Sequence, residues 1–177
     1  CKKKDIKPII GIDAYVSYRS RLDKQAGVDK ERYRLVLLAE NEKGYKNLIK
    51  LVTEAHLDGF YYKPRVDKEI LEKYSEGLIA IAPSFSSDIL GSLKTGNTPQ
   101  ALERLAWYRK VFAGTTLAPN SNLEAEPPSN FFLEVTHHPE IKGHEENMKK
   151  IVEFAIETET PLIACHDVYY LSLEDRP

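Results

Sequence analysis

The sequence predicts an α/β fold with a mainly parallel sheet, in a layered arrangement or a barrel. Short apolar runs rich in Val, Ile and Leu alternate along the chain with segments whose apolar residues recur at helical spacing. Such alternation is typical of parallel strands joined by right-handed helical crossovers. We therefore expect one α/β domain, with strands at 8–12, 33–39, 77–82, 130–135 and 161–165.

We expect the strands to differ in whether one or both of their faces are buried against other elements. The first run, Pro8 to Ile12, reads as a buried strand that continues in extended form to Tyr18. The polar segment 19–32 lacks a period and is interpreted as a surface loop. The run 33–39 is apolar without interruption, which predicts a strand covered on both faces.

Helix starts are marked by residues that can cap free backbone N–H groups. Asn41, Asp67, and Ser86 or Ser87 are candidate N-caps, and Thr98-Pro99 is a typical helix start. A further helix is predicted over 144–158. The expected buried faces are Leu48, Leu51, Val52 and Ala55; Leu102, Leu105 and Ala106; and Met148, Ile151, Val152, Ala155 and Ile156.

Composition excludes several function classes. The 177 residues are 42% hydrophobic and 29% charged, and 25 Lys plus Arg against 27 Asp plus Glu give a net charge of −2. A chain with this balance has no overall field to attract DNA or an anionic membrane. No apolar run approaches the roughly 20 residues of a membrane span. We expect a soluble, cytoplasmic protein, with Cys1 and Cys165 as free thiols.

Two features suggest a piece of a longer chain. The sequence begins at Cys1, and Lys2 to Lys4 resemble the cationic last turn of a preceding helix. Residues 114–129, rich in Pro, Asn and Ser, are expected to be a loop insertion. A fragment lacking the first strands of its sheet would expose an unpaired edge, so we expect marginal solubility in isolation.

Candidate chemistry gathers near the predicted carboxyl ends of strands. His137, His138, His144 and His166 lie close together in the sequence, with Asp167 beside the last of them. Histidine with carboxylate suits a divalent metal, although hydrogen-bonded or solvated loop histidines are the commoner interpretation of this spacing. Glycine-rich phosphate loops and the Gly-x-Ser-x-Gly nucleophile motif are absent from the sequence.

Two other segments have both a functional and a structural interpretation. Tyr61, Tyr62, Lys63 and Arg65 could stack bases and hold phosphates, so they are candidate contacts for DNA or a partner. A loop whose aromatic side chains cover the core is the commoner alternative. Cys165 before His166 is more often a buried small residue than a nucleophile.

Longer motifs add a family resemblance. The runs KPIIG at 7–11, LVLLAENEKGYKNL at 35–48, GFYYKPRVDK at 59–68 and SEGLIA at 75–80, with the segment 161–171, resemble the polymerase and histidinol phosphatase (PHP) domain of bacterial DNA polymerase III alpha subunits. The resemblance implies a partial, distorted (β/α)7 PHP barrel whose first strands precede this sequence. In active members, the strand ends bind metal ions for phosphoester hydrolysis.

The ligand positions implied by the resemblance are largely replaced. Asp13 and Asp167 stand as vestigial metal-binding carboxylates. Arg34, Ser84 and Tyr169 occupy positions where active members carry metal-ligating side chains. Arginine has no lone pair to donate to a metal, and its charge can neutralise nearby carboxylates instead. The site is therefore expected to hold no cofactor, with Zn or Mn as the alternative.

Two functions of different classes follow from the resemblance. The first is a degenerate PHP segment of a replicative polymerase that carries no catalytic residues itself. It would support the remainder of the polymerase chain, reach DNA through the full polymerase, and dock the proofreading exonuclease subunit. The alternative is an active metal-dependent phosphoesterase or 3′–5′ exonuclease, against which Arg34 and Tyr169 argue. A free-standing protein-binding domain is a third interpretation.

Overall fold

The computed structural model describes residues 2–113, 129–166, 172 and 174. Its strands are β1 (Gly11–Ser17), β2 (Arg32–Ala39), β3 (Arg65–Val66), β4 (Leu78–Ala82), β5 (Phe131–Val135) and β6 (Leu162–Ala164). Its α-helices are α1 (Glu42–Leu57), α2 (Lys68–Tyr74), α3 (Asp88–Lys94), α4 (Thr98–Val111) and α5 (His144–Glu157), and one 3-10 turn covers Lys2–Lys4.

The strands form one sheet in the order β3-β1-β2-β4-β5-β6. The pairs β1–β3, β4–β5 and β5–β6 are parallel, which confirms the α/β class and the parallel half of the sheet. Strand β2 runs antiparallel to both β1 and β4. The apolar pattern gave no sign of this reversal, because strand direction depends on the path of loop 18–31 and not on the strand's own side chains.

The hydrophobic core lies on one face of the sheet. Alternate residues of β1, β2, β4 and β5 point into it, and α1 to α5 supply its other side. Its strand residues are Ala14, Val16, Tyr33, Leu35, Leu37, Leu78, Ala80, Ala82, Phe131 and Leu133. The residues between them face the opposite side, and these include Asp13, Arg34 and Glu134. The fold thus separates a fully covered core face from a second, partly covered face. This second face, called the polar face below for its charged residues, also carries Val36, Leu38, Ile79, Ile81 and Phe132.

Two strand predictions were wrong in detail. Ile9 and Ile10 are 75% and 47% exposed, and β1 begins only at Gly11, so residues 8–10 are not part of a buried strand. In β2 the buried residues alternate with partly exposed ones, so the strand is fully covered on one face and not on both. Its continuous apolar character reflects partial shielding of the second face by neighbouring side chains.

The predicted helix caps are confirmed. The side chains of Asn41, Asp67 and Ser87 accept hydrogen bonds from backbone N–H groups in the first turns of α1, α2 and α3, at 3.0, 3.2 and 3.3 Å. Helix α4 begins at Thr98, as predicted, with Asn97 as its cap. Caps depend on neighbouring residues alone, which is why the sequence predicts them well.

The predicted buried faces were only partly right. Val52, Leu102 and Ile156 are 36%, 45% and 71% exposed, and Ala106 is also exposed. In α4 Leu105 is buried as predicted, but Ala101 and Tyr108 complete the buried stripe, and the Tyr108 ring stacks on Phe131 of β5 at 4.4 Å. The helix is rotated toward this aromatic contact. Aliphatic spacing alone could not have revealed that rotation.

The expected insertion at 114–129 lies, except for Ser129, outside the described residues. Its flanks, Ala113 and Ser129, form an isolated antiparallel bridge, and Asn130 donates a backbone hydrogen bond to Phe112 at 2.7 Å.

In the part of the chain that the structure describes, none of the helices combines the length and the apolar character that crossing a lipid bilayer requires.

Candidate functional site

The polar face of the sheet carries an arginine–aspartate pair between its first two strands. Tyr15 is the cross-strand neighbour of Arg34, and Val36 is that of Asp13, so the two charged residues are diagonal neighbours on one face. Arg34 Nε donates to Asp13 Oδ1 at 2.9 Å, and a second N–H of the guanidinium donates to Oδ2. Both carboxylate oxygens of Asp13 are therefore engaged by Arg34 in a bidentate pair.

Ser84 is tied to the neighbouring strand ends by its backbone and its hydroxyl. It lies two residues beyond β4, is 1% exposed, and its backbone N–H donates to Glu134 Oε2 at 2.6 Å. Its hydroxyl is 2.8 Å from the Thr136 hydroxyl. Because β4 and β5 are parallel neighbours, their carboxyl ends place these groups together. The serine and the carboxylate thus bind each other.

Three of the candidate histidines gather at the same end of the sheet. The His138 ring lies 5.3 Å from His144 and 5.5 Å from His166, and Phe85 stacks on His144 at 4.8 Å. His144 Nε2 is 3.0 Å from the Thr136 carbonyl oxygen. The rings pack face to face or edge to face, and among the described residues they form no group that could hold a metal ion.

His137 does not join this ring contact and is exposed. His138, at the centre of the contact, also pairs through Nδ1 with Glu140 at 3.1 Å. Cys165 is half-buried, and its N–H donates to the Val135 carbonyl oxygen at 3.0 Å. Asp167 and Tyr169, a predicted vestigial ligand and a predicted replaced position, lie outside the described residues.

A divalent metal does not fit the donors that are described. Across residues 2–113 and 129–166, no three His, Cys, Asp or Glu side chains are grouped in a way that could hold one. Asp13 is bonded to a guanidinium, which has no lone pair to offer a metal. Glu134 accepts a backbone N–H. Asp13 and Glu134 are thus each already bound to a donor, while His138 Nε2 is buried without a hydrogen-bond partner among the described residues.

The prediction that Arg65 contacts DNA or a partner was wrong. Its side chain is completely buried and donates four hydrogen bonds to backbone carbonyl oxygens. Nε donates to Gly59 at 3.1 Å, one terminal nitrogen to Asp29 at 2.9 Å, and the other to Arg21 and Asp23 at 2.8 Å each. Arg65 therefore holds loop 18–31 against the end of α1. Three of its four acceptors lie 36 to 44 residues away in sequence, so no local pattern could have shown this role.

The neighbouring aromatic residues remain accessible. Tyr62 is 62% exposed and adopts a left-handed backbone conformation with φ of 60°. Its ring meets that of Tyr61 edge to face at 4.7 Å, and the Lys30 ammonium lies 5.8 Å from it. Lys63 is exposed. The contact predicted for Tyr61, Tyr62 and Lys63 stays a prediction.

A buried charge pair near this loop was missed by the sequence interpretation. Arg21 is 7% exposed, and both its backbone N–H and its guanidinium donate to Asp67, at 2.8 and 3.1 Å. Burial alone would lower the pKa of Arg21, but hydrogen bonds to Glu69 and Asp67 outweigh it and the pKa is raised. No local sequence pattern signals this pair, because Arg21 and Asp67 are 46 residues apart.

The fold and the polar face define an α/β domain of the barrel type with a sheet covered on one face. Residues 1–138 match the family model for the PHP domain, and the chain belongs to this family. Over 98% of its length it is 39% identical to a DNA polymerase III subunit alpha of Borreliella burgdorferi. It is 34% identical over 99% of its length to the subunits of Treponema pallidum and Aquifex aeolicus. In each comparison it spans 14% of the relative, so it corresponds to a segment of these subunits.

Proposed function

We propose that the chain is the PHP segment of a replicative DNA polymerase III alpha subunit and that it acts as a structural scaffold, with no hydrolytic reaction of its own. The observation that carries the proposal is the bidentate Asp13–Arg34 pair. It supplies a fixed positive charge where the family resemblance places metal ligands. Similarity to alpha subunits over nearly the whole chain supports the polymerase context.

The absence of hydrolysis is tested on the full natural chain that contains these residues. A single-stranded oligonucleotide labelled at its 5′ end is incubated with Zn²⁺ or Mn²⁺ and no nucleotides, and shortening is followed with time. We expect no shortening by the unaltered chain. Shortening that disappears in Asp13→Asn would contradict the scaffold assignment, whereas shortening that persists in this variant belongs to a contaminating nuclease.

The supporting role is tested by primer extension with the same full chain. Leu35 is fully buried in the core, so Leu35→Asp disrupts the fold of this segment. We expect this variant to lose primer extension, and we expect the paired change Asp13→Asn with Arg34→Gln to retain it. Unchanged extension by Leu35→Asp would show that the polymerase does not depend on this segment.

A metal-dependent phosphoesterase or 3′–5′ exonuclease is the second candidate. The observation in its favour is the gathering of His138, His144 and His166 at one end of the sheet. The oligonucleotide assay decides between the two functions. Since the rings are packed against one another and Phe85, we favour the scaffold.

We also propose that the scaffold docks the proofreading exonuclease subunit. Support comes from a cavity of about 750 Å³ between the end of α4 and the end of α5, where Leu102 and Ala106 are exposed. Leu102→Asp in the full chain should weaken binding of the purified exonuclease subunit at least tenfold, because a charge there opposes apolar contact. Glu103→Gln, on the same helix, serves as the control. Equal binding by both variants would exclude this cavity.

The exposed tyrosines are proposed to contact DNA within the full polymerase. Tyr62 offers an accessible ring and Lys63 an accessible cation. Tyr62→Ala with Lys63→Gln should weaken primer–template binding several-fold, with a smaller salt dependence, because one stacking contact and one phosphate contact are lost. Tyr45→Ala with Lys46→Gln, an exposed pair on α1, is the matched control. If both pairs of changes leave binding unaltered, the contact does not exist.

A further inference from the structure

A cavity of about 340 Å³ lies beside the Asp13–Arg34 pair, at the end of β1 and the start of β2. Lys30, Arg32 and Arg34 all line it, with Arg34 paired to Asp13, and Glu31 is the one acidic residue among its lining side chains. The chain as a whole carries a net charge of −2. The cavity therefore carries local positive charge on a protein whose net charge is negative, and this favours an anionic ligand.

Two donors at this cavity lack acceptors within the described part of the chain. Arg32 Nε and the Ser86 hydroxyl are both buried without a hydrogen-bond partner there. The Arg32 guanidinium is held by two contacts, since one terminal nitrogen donates to the Lys30 carbonyl oxygen at 2.8 Å and Cζ lies 4.7 Å from the centroid of the Tyr15 ring. A buried donor without an acceptor is destabilising, and an oxyanion with several acceptor oxygens can satisfy such groups together.

The walls of the cavity also include aromatic rings. Tyr15 and Tyr18 both line it, and Tyr18 is 52% exposed. The Tyr18 ring packs against the Tyr33 ring, with 5.2 Å between centroids and 59° between the ring planes. A supported, accessible tyrosine next to cations can stack a planar ring while the cations hold an attached phosphate. Inorganic anions would use the cations alone, whereas a nucleotide would use both features.

We propose that this cavity binds the phosphoryl group of a nucleotide, with Lys30 and Arg32 as its cationic contacts, the Ser86 hydroxyl as a donor and Tyr18 as a stacking surface. The nucleotide could be free or could be the phosphorylated end of a single strand, because both present the same phosphate and base. Binding here requires no hydrolysis, so it is independent of the scaffold function.

The test is equilibrium dialysis at low salt on the full natural chain, with radiolabelled dTMP, orthophosphate, and oligo-dT with and without a 5′-phosphate. Lys30→Gln with Arg32→Gln should weaken dTMP binding at least roughly tenfold, since two charge-assisted contacts are lost. Lys3→Gln with Lys142→Gln removes equal charge from exposed positions elsewhere and should leave binding unchanged. Equal effects of the two pairs of changes would overturn the site.

A second variant separates binding from folding. Glu31 is exposed and lines the cavity, so Glu31→Gln removes a repelling charge and should tighten dTMP binding several-fold. Unfolding could only weaken binding, so it cannot imitate this result. Unchanged or weaker binding by Glu31→Gln would overturn the site. Orthophosphate binding as tight as dTMP would overturn the nucleotide assignment, and a tighter 5′-phosphorylated oligo-dT would identify a strand end as the source.

Discussion

Arg34 holds Asp13 through two hydrogen bonds on the open face of the sheet, with the two side chains 40% and 43% exposed. A pair with this much access to water contributes little to stability, about 1 kcal/mol or less. Its importance is therefore chemical. The guanidinium occupies both oxygens of a carboxylate that the family resemblance identifies as a vestigial metal ligand.

Arg65 is expected to be a principal stabilising residue. Arg65→Lys keeps the charge but cannot reproduce a planar group with four backbone acceptors, so several buried carbonyl groups lose their partners. We expect a loss of about 2–4 kcal/mol in the free energy of unfolding, measured in urea. Lys63→Arg, an exposed change two residues away, should shift it by no more than about 0.5 kcal/mol. Similar values for the two variants would contradict the anchoring role of Arg65.

Two helical glycines should respond oppositely to alanine. A Cβ on Gly44, near the start of α1, would come within 1.8 Å of the Gly77 carbonyl oxygen. We expect Gly44→Ala to cost about 2 kcal/mol or more, because the first turn of α1 must move away from the loop before β4. A Cβ on Gly91 in α3 would meet nothing within 4 Å apart from its chain neighbours and its own helix backbone, so Gly91→Ala should gain about 0.5–1 kcal/mol. Thermal unfolding of both variants checks the pair, and a stabilising Gly44→Ala would refute the close approach.

Asp88 should give a recognisable pH dependence. Burial raises its pKa above the ordinary value of 3.8, against the opposing effects of the Tyr108 hydrogen bond and the Arg104 charge. The folded state then binds a proton more readily than the unfolded state, so this group's contribution to stability is full below pH 3.8 and is lost as pH rises through the folded pKa.

The comparison with Asp88→Asn isolates that contribution. Asparagine keeps an acceptor for the Tyr108 hydroxyl, which donates to Asp88 Oδ1 at 2.9 Å, but it does not titrate. Urea unfolding from pH 4 to pH 7 should show the unaltered chain losing stability relative to the variant as pH rises. A constant difference, or one of opposite sign, would show that the folded state does not raise the pKa of Asp88.

Features that depend on residues close together in the sequence were predicted, whereas features that depend on distant residues were not. The caps at Asn41, Asp67 and Ser87 were predicted because a capping side chain and the backbone N–H group that donates to it are three residues apart. The α/β alternation was recovered for the same reason. The role of Arg65 and the stacking of Tyr108 depend on partners distant in sequence, namely loop 18–31 and the aromatic ring of Phe131, and spacing carries no information about them.

The candidate site shows the same division. That an arginine at position 34 could neutralise Asp13 followed from residue type and the resemblance, and the structure places the two in contact. The contacts of Ser84 with Glu134 and Thr136 depend on the parallel register of β4 and β5, which no residue pattern specifies. The cationic cavity was missed because segment 19–32 was interpreted as a surface loop without structure of its own.

Metal content tests the central claim, that a charge pair has replaced the metal site, most directly. The full natural chain is equilibrated with Zn²⁺ or Mn²⁺, freed of excess ions, and measured by mass spectrometry beside Asp13→Asn and the double variant Arg34→His, Tyr169→His. We predict equal content in the unaltered chain and Asp13→Asn, and added zinc in the double variant, which gains two imidazoles. One or more Zn or Mn ions per unaltered chain that are lost in Asp13→Asn would contradict the claim.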